Sequence, residues 1–327
     1  MSIIYRIIIA AAIALIWVVQ LQAERINELS LSRPTPGTLL IICGGSTVYI
    51  IDVDTALDSD DWHSSIVWSW DARTLSTTIG LSESRLDHID DCKLVDNGRK
   101  ILVTSSFGWC AMVDYDTRKP VFYSNTTPNA HSADLLPGNL IAVACSDGTT
   151  DSHNMVHLYD ADRPNEKIAQ YSFPSCHATV WNATTERLYA AGARKIGSYR
   201  LSGRTLELVD ETVTAKSDVH DVMAINPGKM SVAGKEGFIY DIAQKSFRNI
   251  PFLIGRTSLK SLNINSDSGE MWYTDASDTA NISQWFSHDL WWASGRMADG
   301  PALSIKIPDV NVYKVRVARW GQSYAEK

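Results

Sequence analysis

The feature that most constrains this chain is a polar residue that recurs about every 40 residues at the head of a short apolar strand. The openings read Asp90-Asp91-Cys92-Lys93-Leu94, His131-Ser132-Ala133-Asp134-Leu135, His177-Ala178-Thr179-Val180-Trp181, His220-Asp221-Val222-Met223 and Lys260-Ser261-Leu262-Asn263. Turn residues follow at Asn97-Gly98, Pro137-Gly138 and Pro227-Gly228. Each turn leads into an apolar second strand such as Ile141-Ala142-Val143-Ala144 or Met230-Ser231-Val232-Ala233. A third strand ends on a polar turn, as at Asp114 and Asp160, and a fourth closes the unit, as in Val121-Phe122-Tyr123. Four short strands at this period are the pattern of a propeller blade. No long stretch carries helical periodicity.

Five complete units are visible, and the two ends supply a sixth. Leu39–Cys43, Val48–Val53 and Ile66–Trp70 read as second, third and fourth strands without a first. Tyr313-Lys314-Val315-Arg316-Val317 reads as the absent inner strand. Pairing them closes the ring and removes an open edge. The predicted fold is therefore all-β, a six-bladed β-propeller closed by N- and C-terminal strands in one blade.

Arg6 before the apolar run Ile7–Val19, with Ala23 at a cleavage position, predicts a signal peptide over residues 1–23. That run is short for a bilayer span, which takes about 20 apolar residues. The expected organisation is this signal, a linker over 24–37, the propeller over 38–320 and a tail over 321–327. The expected location is secreted or periplasmic, with no membrane span after cleavage and a monomeric mature protein. A net charge of −7 counts against nucleic acid as a partner, because phosphate binding needs a basic face. Cys43, Cys92, Cys110, Cys145 and Cys176 are odd in number and show no CxxC spacing, so buried thiols are expected. Sequons stand at Asn125, Asn182 and Asn281.

Inner strands line a propeller channel, so residues at equivalent starts converge at one mouth. That set is Asp90 or Asp91, His131, His177, His220, Lys260 and Lys314, with Tyr313 and Arg316 on the same closing strand. Three histidines and a carboxylate are a donor set for a divalent metal, which stays open as one reading of the cluster. Two lysines in the ring would repel a cation, so an anion site without metal or cofactor is the favoured expectation. A polar lining satisfied by water and backbone is the bland alternative. His63, His88, His153, His157 and His288 fall outside the register, while Ser46, Ser105, Ser146 and Asp147 lie in loops on the same mouth.

At His88–Lys93, Asn129–Gly138, Val180-Trp181-Asn182, His220-Asp221, Leu259-Lys260-Ser261, Tyr313-Lys314 and Val67–Asp71, the chain resembles an uncharacterised bacterial propeller family. That family is common among secreted proteins of carbohydrate-degrading bacteria. The resemblance implies the fold and the setting but carries no established reaction. More loosely, the layout is similar to propeller polysaccharide lyases, a likeness of fold alone.

The expected ligand is an acidic, uronate-type oligo- or polysaccharide bound at the mouth, and cleavage by β-elimination is the enzymatic form of this expectation. In that scheme His131, His177 or His220 is the base and Tyr313 the acid. Lys260 and Lys314 neutralise the carboxylate, with Asp90, Asp91 and Arg316 as further contacts. Trp109, Trp291 and Trp292 are candidates to stack on sugar rings. The rival expectation is a non-catalytic module that binds a glycan or a protein at the same mouth.

Overall fold

The structure is a computed structural model, and it describes residues 33–76, 80–146, 153–214, 218–277, 285–295 and 300–321. The predicted signal peptide, the 321–327 tail beyond Gly321, Asp147 and the sequon at Asn281 lie outside these residues.

Short apolar runs bounded by turn residues become strands here because both faces find a core. In β9 (Leu140–Cys145) every residue is buried, as in β21 (Met271–Asp275). Such continuous burial matches strands covered on both faces, not the in-out alternation of a half-exposed sheet. The covering layer is the neighbouring blade. In β1 (Leu39–Gly44), Ile41 and Cys43 join Ile89, Ile101, Val103 and Trp109 of the next blade. Leu40 and Ile42, on the opposite face of the same strand, join Trp272, Leu290, Trp292 and Ile305 of the last blade. Six such hydrophobic clusters fill the six interfaces between neighbouring blades among the described residues.

Six four-stranded antiparallel sheets form the ring. Their inner strands are β4 (Ile89–Val95), β8 (Ala130–Leu136), β12 (Cys176–Asn182), β16 (Asp221–Asn226), β20 (Leu259–Ile264) and β24 (Val315–Arg319). Neighbouring inner strands touch all the way round, β24 meeting β4 to complete the circle. The closing blade orders β24-β1-β2-β3, with β2 (Thr47–Asp52) and β3 (Ile66–Asp71), as the terminal pairing predicts. Its register sets Leu40 against Val317, Ile41 against Arg316 and Ile42 against Val315.

The stretch expected to be a linker is fastened where it is described. Thr35 donates through its hydroxyl to Glu270 at 2.7 Å and through its backbone N–H at 3.1 Å. The Gly321 N–H donates to the Thr38 hydroxyl, so both ends grip the same blade junction. All five cysteines are buried free thiols. No helix among the described residues is long and apolar enough to cross a membrane.

Candidate functional site

The mouth residues owe their direction to a repeated irregularity in the inner strands. Register shifts fall between Ile89 and Asp91, Ala130 and Ser132, Cys176 and Ala178, and Leu259 and Ser261. The extra residue in each β-bulge is Asp90, His131, His177 or Lys260. A bulge re-aims one side chain while the ladder continues beyond it. In the fifth blade the His220 N–H bonds to the carbonyl of Ala233, the residue that also pairs with Asp221. Two positions before four of these residues the backbone turns left-handed, at His88, Asn129, Ser175 and Asp218. The turn crowds the adjoining second strand. A Cβ on Gly192 would sit 1.8 Å from the Ser175 carbonyl oxygen, and one on Gly234 would sit 2.4 Å from that of Asp218. Glycine is required at those two sites by close approach.

Tyr313 completes this ring. His131 and His177 stack at 4.5 Å between centroids with a 6° interplanar angle, and Tyr313 stacks on His131 at 5.4 Å. His177 meets His220 edge-on at 4.9 Å, and the His220 ring stands edge-on to Tyr313 at 6.3 Å. The Lys260 ammonium lies over the rings of Trp285, at 5.1 Å, and Tyr313, at 5.6 Å. Parallel stacking sets the His131 and His177 nitrogens side by side, not converging on one point. No group of three metal-ligating side chains is found among the described residues.

Hydrogen bonds fix several proton positions. His177 Nδ1 is 2.7 Å from the Ser175 carbonyl oxygen, which can only accept, so Nδ1 carries the proton. Its Nε2 lone pair therefore accepts from the Ser146 hydroxyl at 3.3 Å. Lys260 Nζ donates to His220 Nε2 at 3.1 Å, and His220 Nδ1 then faces the Tyr313 hydroxyl at 3.4 Å. His131 Nδ1 is 3.1 Å from Asp90 Oδ2, which also accepts from the Ser106 hydroxyl. His131 Nε2 has no partner among the described residues.

Burial drives this ring toward neutral forms. It pushes the Asp90 carboxyl up to about 7 and His131 down to about 3. It also takes His177 and His220 well below the usual imidazole range, helped by their neighbours His131 and Lys260 respectively. Lys260 is brought down to about 8 by burial. With Asp90 protonated, its O–H donates to His131 Nδ1 and the ring proton sits on Nε2.

One residue further along the strands lies a different layer. Arg316 grips Asp91 through Nε and Nη2, both at 2.8 Å, and bonds Asp221 through Nη1 and Nη2. Lys314 donates to the carbonyls of His131 at 3.1 Å and His177 at 2.8 Å, and lies 3.5 Å from Asp221. Lys93 donates to the Thr179 carbonyl at 2.7 Å. Burial opposes ionisation of Asp91, yet Arg316, Lys314 and Lys93 hold its carboxyl below the usual range. These groups plug the channel.

The expected site thus divides. Asp90, His131, His177, His220, Lys260 and Tyr313 come together at the mouth. Asp91, Lys314 and Arg316, expected to touch substrate, are instead buried and engaged in the ion layer below it. The closing strand sets Tyr313, not Lys314, level with the bulge residues. Trp109 is also corrected: it is fully buried between blades, with its indole N–H on the Arg85 carbonyl, and cannot stack on a sugar. Trp292 is likewise buried, bonded to Glu270, and Trp291 packs against the core between the last two blades. Asn182, one of the sequons, is buried with its side chain bonded to Pro227 O. Ser106, Ser175 and the half-exposed Trp285 belong to the mouth and were not singled out by the repeat.

Fold and site together define a closed six-bladed propeller with a histidine-lined mouth above a buried ion plug. Residues 46–203 match the model of a family of unknown function, DUF6528, and the matched stretch carries Asp90, His131 and His177. No curated protein matches the chain.

Proposed function

We propose that this protein is an exported, carbohydrate-active propeller whose mouth binds the carboxylate of a uronate-type glycan and cleaves the chain by β-elimination. The observation that carries the reading is the run of bulges that aims Asp90, His131, His177 and Lys260 at one mouth. A propeller core needs apolar inner strands, and these kinks add polar groups that the packing does not require. The Lys260 ammonium and the His131 Nε2–H supply two donors for a carboxylate. His177 Nε2, the neutral lone pair at the mouth, takes the C5 proton, and Tyr313 gives its proton to the leaving oxygen. Exposed Trp285 beside Lys260 offers a face for a sugar ring.

The test is incubation with a panel of uronate polysaccharides, followed by absorbance of the unsaturated product. Product is expected with at least one substrate and is lost in His177→Gln and Lys260→Ala. No product with any substrate, together with no binding, rejects the reading. Binding without turnover selects the non-catalytic module instead. That second reading is favoured by burial of Lys260 and Tyr313 to 1% and 3% exposure, which admits only a small group.

A further inference from the structure

The mouth contains a serine, Ser146, that the elimination scheme leaves idle. Ser146, immediately after β9, places its hydroxyl 3.3 Å from His177 Nε2. His177 is oriented from behind by the Ser175 carbonyl at 2.7 Å. That carbonyl is rigid, because Ser175 has φ 48° and its oxygen is packed against Gly192. Ser146 is itself fixed by its N–H on the Asn129 carbonyl at 3.0 Å. Nucleophile, base and orienting acceptor are thus in sequence, the relation that activates a serine hydroxyl. The His131 ring stacks on His177 at 4.5 Å between centroids, with its Nδ1 engaged by Asp90 at 3.1 Å.

We propose that Ser146 is a nucleophile activated by His177, and that the mouth hydrolyses small carboxylic O-acyl esters. Ser146 Oγ bonds to the acyl carbon while its proton passes to His177 Nε2. His131 Nε2–H stabilises the oxyanion. The C–O bond to the leaving alkoxide then breaks, and that oxygen takes the proton from His177. Water attacks the acyl-serine, gives a proton to His177, and the proton returns to Ser146 Oγ as the carboxylic acid departs. Ser146 is 4% exposed, so the acyl group must be small. This activity is independent of the uronate reading and shares only mouth residues with it.

The experiment treats the full chain with an alkyl fluorophosphonate and maps the adduct by peptide mass spectrometry. One adduct per chain is expected, on Ser146, with loss of fluoride. It is absent from Ser146→Ala and forms about 100-fold more slowly in His177→Gln, the usual scale for losing a general base. No adduct, an adduct elsewhere, or an unchanged rate in a folded His177→Gln overturns the proposal. If a variant fails to fold, the wild-type adduct map decides alone. The probe carries no sugar, so labelled Ser146 without unsaturated product rejects elimination only, and the reverse result rejects this activity only.

Discussion

The mouth ring and the ion layer are built from the same inner strands, about one residue apart, and they meet burial in opposite ways. In the lower layer the charged groups are engaged, Arg316 holding Asp91 and Asp221 from two different blades while Lys314 and Lys93 donate to backbone carbonyls. In the upper ring the groups shed charge, as Asp90 and His131 do, and donor capacity is left over at His131 Nε2. A layer whose polar groups are all engaged is a strut. A ring with a spare donor and a lone pair on His177 is a place for a ligand.

The sharpest way to break this comparison is to remove the strut. Arg316→Met removes the guanidinium that bridges two buried carboxylates, leaving Asp221 only Lys314 at 3.5 Å and Asp91 only Lys93 at 3.9 Å. Losing one partner of a buried ion network typically costs about 3–5 kcal/mol. Arg316 also lies on the strand that closes the ring, so the loss should appear as a large fall in the denaturant midpoint. His131→Asn, in the ring above, should cost less than half as much. Equal losses would mean that both layers are structural.

Much of the fold was legible because a polar residue at the head of an apolar strand is conspicuous, as at His131, His177 and Lys260. The terminal blade was legible because its strands were incomplete at both ends. Depth was harder to read. Lys314 was expected at the mouth because nothing in Tyr313-Lys314-Val315 reveals which residue aligns with the bulges of other blades. Trp109, expected as a stacking candidate, instead begins a strand buried between blades, a depth that the turn residue Gly108 before it does not reveal. Ser106 and Ser175 carried no signal, since serine at a turn is ordinary, and Ser146 could be placed at the mouth but not paired with His177, which lies in the next blade.

A second test uses acid. His177 and His220 stay neutral in the folded protein well below the pH at which the unfolded chain protonates them. The unfolded state then binds more protons, so stability falls as pH drops below about 6.5. Each such histidine contributes about 1.4 kcal/mol per pH unit over that window. His131 adds the same sign between 6.5 and about 3, but Asp90 opposes it between 3.8 and about 7, so this pair nearly cancels. Denaturant midpoints should therefore fall between pH 6.5 and 5.5 by the contribution of three histidines, His177 and His220 at the mouth and His157, which burial takes down to about 4 outside the ring. A flat profile would show that the ring is not held neutral, and the contrast between layers would fail.

The smallest effect isolates the polarity of one imidazole. Above pH about 7 Asp90 ionises, accepts from His131 Nδ1–H, and leaves the lone pair on Nε2. Ser106, Lys314, His88 and Asp91 are the other groups acting on that carboxyl. Carboxylate binding should accordingly weaken through pH 7 by about one hydrogen bond, on the order of 1 kcal/mol or fivefold. Asp90→Asn keeps the size of the side chain and offers an amide N–H to Nδ1 at every pH, which holds the ring proton on Nε2. In that variant the inflection near 7 should vanish, while loss of the Lys260 charge near 8 remains. Titration of binding from pH 6 to 9 by calorimetry reads both steps. If the step near 7 persists in Asp90→Asn, the donor at the mouth is not set by Asp90, and the ring is a passive lining after all.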